Sequence, residues 1–147
     1  MDSALDSVLA RAKAQVGSLM LLDPDTHALR IVAARGFSQE VMDQVKKLTL
    51  APGQGIAGHV YQTGKPYYLR DPQKDPMFVH QNISLNSNFQ FLSLPLADQQ
   101  GRTIGVLNIH FPTEVVLGSY ELDQISRLAN QLTDRLLDPR HSASKLC

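Results

Sequence analysis

Apolar residues recur along this chain with two different periods, and each change of period marks a new element. From Ser3 to Gln15 the apolar positions Leu5, Val8, Leu9, Ala12 and Val16 step by three and four, which is one face of a helix. Ser3 stands at the N-cap position, Asp6 three residues later makes a variant capping box, and Gly17 is the expected stop. Ser18–Leu22 and Leu29–Ala34 are short strand-like runs separated by Asp23-Pro24-Asp25, a turn sequence, so they predict an antiparallel hairpin. Ser38 is placed to cap a helix reaching about Lys47, with Val41, Met42, Val45 and Leu48 on one side. Thr49-Leu50 is a short extended piece. Gly53 to Gly64 then predicts a tight turn, two helical turns and a glycine stop, followed by a short strand over Pro66–Leu69.

The second half continues the pattern after one interruption. Arg70–Asn88 has no clear period and is the longest irregular stretch, of the kind that is usually functional or mobile. Phe91–Leu96 and Thr103–Phe111 are strands joined by the turn Asp98-Gln99-Gln100-Gly101. Alternation on the second places Ile104, Val106, Asn108 and His110 on one face, and Gly105, Leu107, Ile109 and Phe111 on the other. The second set is uniformly apolar and should meet helices. Ser119 is expected to cap a final helix to about Leu137, whose Leu122, Ile125, Ala129, Leu132 and Leu136 form an a/d seam. Hairpins dominate and no crossover helix alternates with every strand. The fold class predicted is α+β, an antiparallel sheet with helices on one face.

Composition narrows the function. The length of 147 residues suits one domain, expected over residues 1–138 with a loose tail at 139–147. Lys plus Arg and Asp plus Glu number 14 each, so the net charge is zero, which argues against nucleic acid or an anionic membrane as partner. The one cysteine, Cys147, excludes an internal disulfide and any multi-cysteine metal centre. No apolar run approaches the roughly 20 residues of a membrane span. Asp2, Asp6, Arg11 and Lys13 interrupt any signal-peptide pattern, and the expected location is the cytoplasm. Gly53, Gly55 and Gly58 spell G-x-G-x-x-G, but Pro52 precedes them and Gly64 stops the helix after two turns, so close packing explains them better than a dinucleotide site. His27, His59, His80, His110 and His141 include no helical pair at metal-ligand spacing.

Several segments together carry a resemblance. They are Gly17-Ser18-Leu19-Met20-Leu21-Leu22-Asp23, Pro52-Gly53-Gln54-Gly55-Ile56-Ala57-Gly58, Thr63-Gly64-Lys65-Pro66, Arg70-Asp71-Pro72, Leu92-Ser93-Leu94-Pro95-Leu96, Gly105-Val106-Leu107, and Glu121-Leu122 leading to Leu128-Ala129-Asn130-Gln131-Leu132. In this order, from about Leu5 to Leu136, the chain resembles a GAF domain, the sensory module of cyclic-nucleotide phosphodiesterases, phytochromes, histidine kinases and bacterial transcriptional activators. A PAS domain is the runner-up fold. The resemblance implies a GAF-like, six-stranded antiparallel sheet, in the order 2-1-5-6-3-4 or a variant, with the terminal helices on one face. It implies a ligand on the other face, under the loop between the fourth and fifth strands.

On that reading Asn108 and His110 point to the ligand face, where they bond a ligand or anchor the covering loop. Phe91 and Ser93 share that face, Arg70 is placed to pair an anionic group, and Phe78, His80 and Asn82 lie in the loop. Bilin-binding relatives carry a cysteine just before a histidine in this region; Val79 precedes His80 here, so no covalent bilin is expected. Haem on His80 or His110 is chemically open but disfavoured. Cyclic-nucleotide binders carry Asn-Lys after the sixth strand and an Asp-Glu further on. Phe111-Pro112 and Tyr120-Glu121 stand near those places, which disfavours a cyclic nucleotide. The enzymatic relatives, free methionine sulfoxide reductases, need loop cysteines that are absent. The expectation is therefore a non-enzymatic sensory module for a small molecule of unknown identity. It would be a homodimer through the Leu122–Leu136 seam, acting on an output domain or signalling partner. The alternative is a ligandless dimerisation domain, in which Phe78, Phe89 and Phe91 collapse onto the sheet and leave no cavity.

Overall fold

The β1–β2 hairpin starts the sheet, and its turn is built by side-chain chemistry. A computed structural model describes residues 2–72 and 89–138. Strand β1 (Val16–Asp23) pairs antiparallel with β2 (Ala28–Arg35), and the Asp25 amide donates to Asp23 Oδ1 at 2.8 Å across the connecting turn. Helix α1 (Asp2–Arg11) precedes them. Next come α2 (Gln39–Val45), β3 (Thr49–Leu50), α3 (Gly55–Thr63) and β4 (Tyr67–Leu69). The hairpin of β5 (Phe89–Ala97) and β6 (Thr103–Pro112) and then α4 (Ser119–Leu137) complete the described elements. The irregular stretch and the tail expected at 139–147 fall largely or wholly outside the described residues.

The sheet is six-stranded and antiparallel, in the order β3-β2-β1-β6-β5-β4. Of the order 2-1-5-6-3-4 or a variant implied by the resemblance, it is a variant that is observed: β1 lies beside β6 and not β5. Gly105 permits this approach, since a Cβ there would lie 2.3 Å from the Met20 carbonyl oxygen on β1. Strand β5 carries no glycine and pairs instead with β6 and β4.

Both faces of the sheet are apolar, so both are covered. On one, Leu107, Ile109 and Phe111 of β6 pack with Leu92 and Leu94 of β5 against Leu5, Val8 and Leu9 of α1 and Ile125, Ala129 and Leu132 of α4. On the other, Met20, Leu29, Val106, Phe89 and Phe91 pack with Ile56, Ala57 and Val60 of α3. The division of β6 predicted by alternation holds for Val106 on one face and Leu107, Ile109 and Phe111 on the other, but Ile104, expected beside Val106, packs against the helix-side core, where the pairing with β5 shifts register between Leu96 and Ala97; α3 adds a helix to the face left open by the terminal pair.

Three local expectations are corrected. The first helix ends at Arg11 rather than Gln15, because Lys13 takes a left-handed conformation (φ 59°) and Ala14 N–H closes on the Leu9 carbonyl at 2.9 Å. Asp6 pairs with Arg35 of β2, Nε to Oδ1 at 2.7 Å, and so joins α1 to the sheet. Ser119 lies within α4 and does not cap it; Gly118 is the N-cap and supplies no side chain. By contrast, the Ser38 hydroxyl accepts from the Val41 amide at 3.3 Å, as its position predicted.

The glycine motif serves packing. Gly53 N–H donates to the Gly58 carbonyl at 2.9 Å, and a Cβ on Gly58 would lie 2.6 Å from the Ala51 carbonyl oxygen. Alanine at this helical position would gain about 1 kcal/mol of helix propensity. The backbone clash costs more, on the order of 1–3 kcal/mol. Gly58→Ala is therefore expected to destabilise the protein, read as a lower urea midpoint at unchanged slope.

Candidate functional site

The face opposite the terminal helices carries a row of polar side chains across its three central strands. Strand register sets Ser18 of β1 opposite Asn108 of β6, and Asn108 opposite Ser93 of β5. All three are buried. Ser93 Oγ donates to Asn108 Oδ1 at 2.8 Å, and Asn108 Nδ2 donates to Ser18 Oγ at 3.2 Å. This chain of bonds leaves two donors over: the Ser18 hydroxyl hydrogen and the second Asn108 amide hydrogen meet no acceptor among the described residues. A buried donor without a partner costs about 1–3 kcal/mol, which makes this row the chemically distinctive part of the face.

Next to the row along the sheet, the pairs of Phe91 with His110 and Leu69 with Phe91 bring β4, β5 and β6 together. The imidazole of His110 is partly buried. It stacks on Phe89 with ring centroids 4.7 Å apart and planes 17° from parallel. Phe91 and Phe37 meet it edge-on at 5.2 and 5.5 Å. Burial among these rings lowers the His110 pKa from its ordinary 6.5 to about 4, so the imidazole is neutral at physiological pH. Neither ring nitrogen has a hydrogen-bond partner among the described residues. Among those residues there is also no group of three or more His, Cys, Asp or Glu arranged to hold a metal ion.

Of the residues expected at the site, Phe91, Ser93, Asn108 and His110 come together on this face. Arg70 is exposed, immediately after Leu69, at the end of β4. Phe78, His80 and Asn82 lie outside the described residues. The stripe read as a subunit seam, Leu122, Ile125, Ala129, Leu132 and Leu136, lies in or against the core formed with α1 and the sheet. Two participants, Ser18 and Phe37, were missed. Ser18 was signalled by a polar residue in phase with the inward-facing Met20 and Leu22. Phe89, expected on this face in the ligandless alternative, lies two residues before Phe91, in the same alternation. Phe37 follows the β2 strand and carried no periodic signal.

Comparison with known proteins agrees with this architecture. The family model described as GAF domain matches residues 1–136. The Nif-specific regulatory protein of Azotobacter vinelandii is 29% identical over 111 residues, covering 73% of this chain and 21% of that protein. The chain thus spans about a fifth of the length of this curated relative. Among solved structures, the GAF domain of an Acinetobacter phosphoenolpyruvate-protein phosphotransferase superposes with a TM-score of 0.73 at 21% identity, over 99% of this chain and 84% of that one. A type II free methionine-R-sulfoxide reductase from Thermoplasma acidophilum shares the fold with a TM-score of 0.70 at 16% identity, over 91% of this chain and 87% of that one. Among the described residues, no helix is long and apolar enough to cross a membrane.

The His110 environment predicts a pH dependence with a definite sign. Its pKa is lower folded than unfolded, so the unfolded chain takes up a proton first as the pH falls. The stability it contributes is complete above pH 6.5 and is lost between there and about pH 4, at most about 3 kcal/mol in all. Denaturant unfolding at intervals from pH 4 to 7.5 should show stability rising through this window. The rise should flatten in His110→Phe.

Proposed function

Because the chain belongs to the GAF domain family, we propose that it is a sensory or regulatory module that binds a small molecule on the face opposite its terminal helices. The observation that carries this reading is the Ser18–Asn108–Ser93 row, buried in the sheet with two donors unpartnered among the described residues. A ligand acceptor placed there would satisfy both donors, while His110 and its phenylalanines would offer an apolar aromatic flank. Binding would bias the terminal helices and, through them, an output domain or partner. The module would act by conformation and not by catalysis.

A specific observation favours a second reading, a ligandless dimerisation domain. Phe89 and Phe91 lie folded onto the sheet, 8% and 5% exposed. If those rings fill the face, function would rest on self-association. With the Leu122–Leu136 stripe packed inside, a dimer would use outer surfaces bearing Val116, Tyr120 and Leu137, which are 77%, 73% and 48% exposed.

Native mass spectrometry of freshly purified protein, with a denatured control, separates the two. A native mass above an integer multiple of the chain mass, with the excess lost on denaturation, supports the sensory reading. That excess should disappear in Ser18→Ala and in Asn108→Leu while both variants remain folded by circular dichroism. A mass of two chains with no excess favours the dimerisation domain. A bare monomer that takes up nothing from a metabolite extract counts against both.

The buried row also predicts a stability effect. Ser93→Ala removes the donor to Asn108 Oδ1 and should cost about 1–3 kcal/mol, measured by urea denaturation.

A further inference from the structure

On the helix side of the sheet a single amide joins three parts of the chain. Gln90 of β5 is buried, 4% exposed. Its Oε1 accepts from the Tyr68 hydroxyl of β4. Its Nε2 donates one hydrogen to the Pro112 carbonyl, at the end of β6, at 3.0 Å and the other to the Val115 carbonyl at 2.7 Å. Both donors of the side-chain amide are thus in use, and the acceptor faces a strand at the edge of the sheet.

The position of Val115 gives this arrangement its meaning. Residues 113–118 connect β6 to α4, and the helix begins at Gly118 without a side-chain cap. The Val115 amide turns back to the Pro112 carbonyl at 3.1 Å, so Gln90 clasps both carbonyls of one tight turn. Val115 and Leu117 rest against the helix-side core, as does Tyr68. Strand β4 has only three residues, and its other two, Tyr67 and Leu69, pack into the cluster on the opposite face of the sheet. A shift of β4 on that face therefore moves Tyr68 on this one, and Tyr68 is bonded to the group that holds the start of α4.

We infer that Tyr68 and Gln90 form a mechanical link between the edge strand β4 and the start of the C-terminal helix, so that order at either end is coupled to order at the other. Such coupling is reciprocal by thermodynamic necessity. It needs no ligand and holds whichever reading of the opposite face is correct.

Hydrogen–deuterium exchange on the full chain tests it. In Tyr68→Phe the ring and its packing remain and only the hydroxyl is lost. Exchange across 113–121 should quicken by about five- to tenfold, the change expected for one buried hydrogen bond. Leu117→Ala, which loosens the connection from the far end, should quicken exchange at Tyr67–Leu69. In a Gln90→Leu background each effect should fall away, because the intermediary is gone. Ser93→Ala, a comparable loss of a buried bond on the other face, serves as the control for general loosening. The inference is overturned if the Tyr68→Phe effect stays within β4, if it spreads evenly over the sheet as in Ser93→Ala, or if it persists unchanged in Gln90→Leu. Should Gln90→Leu not fold, Gln90→Met gives the same comparison, since an unbranched side chain of nearly the same length fills the site with neither the acceptor for Tyr68 nor the donors to the turn.

Discussion

Strand β6 has to satisfy two apolar layers at once, and the rest of the molecule is arranged around that demand. Leu107, Ile109 and Phe111 on one side need α1 and α4; Val106 on the other needs α3 and the phenylalanines. Burial at roughly 25 cal/mol per Å² makes either layer strongly favourable, and neither is stable if left open to water. The central position of β6 follows, since a strand clothed on both faces belongs in the middle of a sheet rather than at its edge. Its close pairing with β1 depends on Gly105, where a side chain would strike the neighbouring backbone.

Polar groups inside such a sandwich must justify their presence energetically. On the helix side Gln90 does so completely, using its carbonyl and both amide hydrogens. On the other side Ser18, Asn108 and Ser93 bond one another yet leave donors over. The contrast separates two roles. A saturated buried amide fixes geometry; an incompletely saturated row retains capacity for something else. The terminal helices are tied to the sheet independently, α1 through the Arg35 pairs with Asp2 and Asp6, which are exposed and contribute little each.

Much of this was legible because it is local. Period-two alternation assigned Asn108 and His110 to one face and Leu107, Ile109 and Phe111 to the other, and turn residues marked both hairpins. Family resemblance supplied the architecture. Relations set by distant parts of the chain were not legible. Ser18 and Asn108 are 90 residues apart, and nothing near Ser18 announces its partner. The clasp of Phe37 and Phe89 on His110 likewise arises only when the sheet brings the end of β2, across β1, to β6 and β5. The exact strand order was left open for the same reason, as hydrophobic pattern says which face a strand buries and not which neighbour it takes. Asp6 looked like a capping residue because helix signals are read locally, whereas Arg35 enters from another element. The Leu122–Leu136 stripe was read correctly as apolar, but the same spacing suits a partner helix or the chain's own sheet; here it meets the sheet.

Among the described residues the sheet is bounded by β3, two residues long, and β4, three residues long. Long flat outer strands are templates on which other chains add by backbone hydrogen bonding, and very short ones are a natural defence against it. With α2 set against β2 beside the shorter of them, little regular backbone is offered at that border. Any assembly this module enters should accordingly be built from side-chain contacts, which can be specific and reversible, and not from the runaway strand-to-strand growth that leads to fibrils.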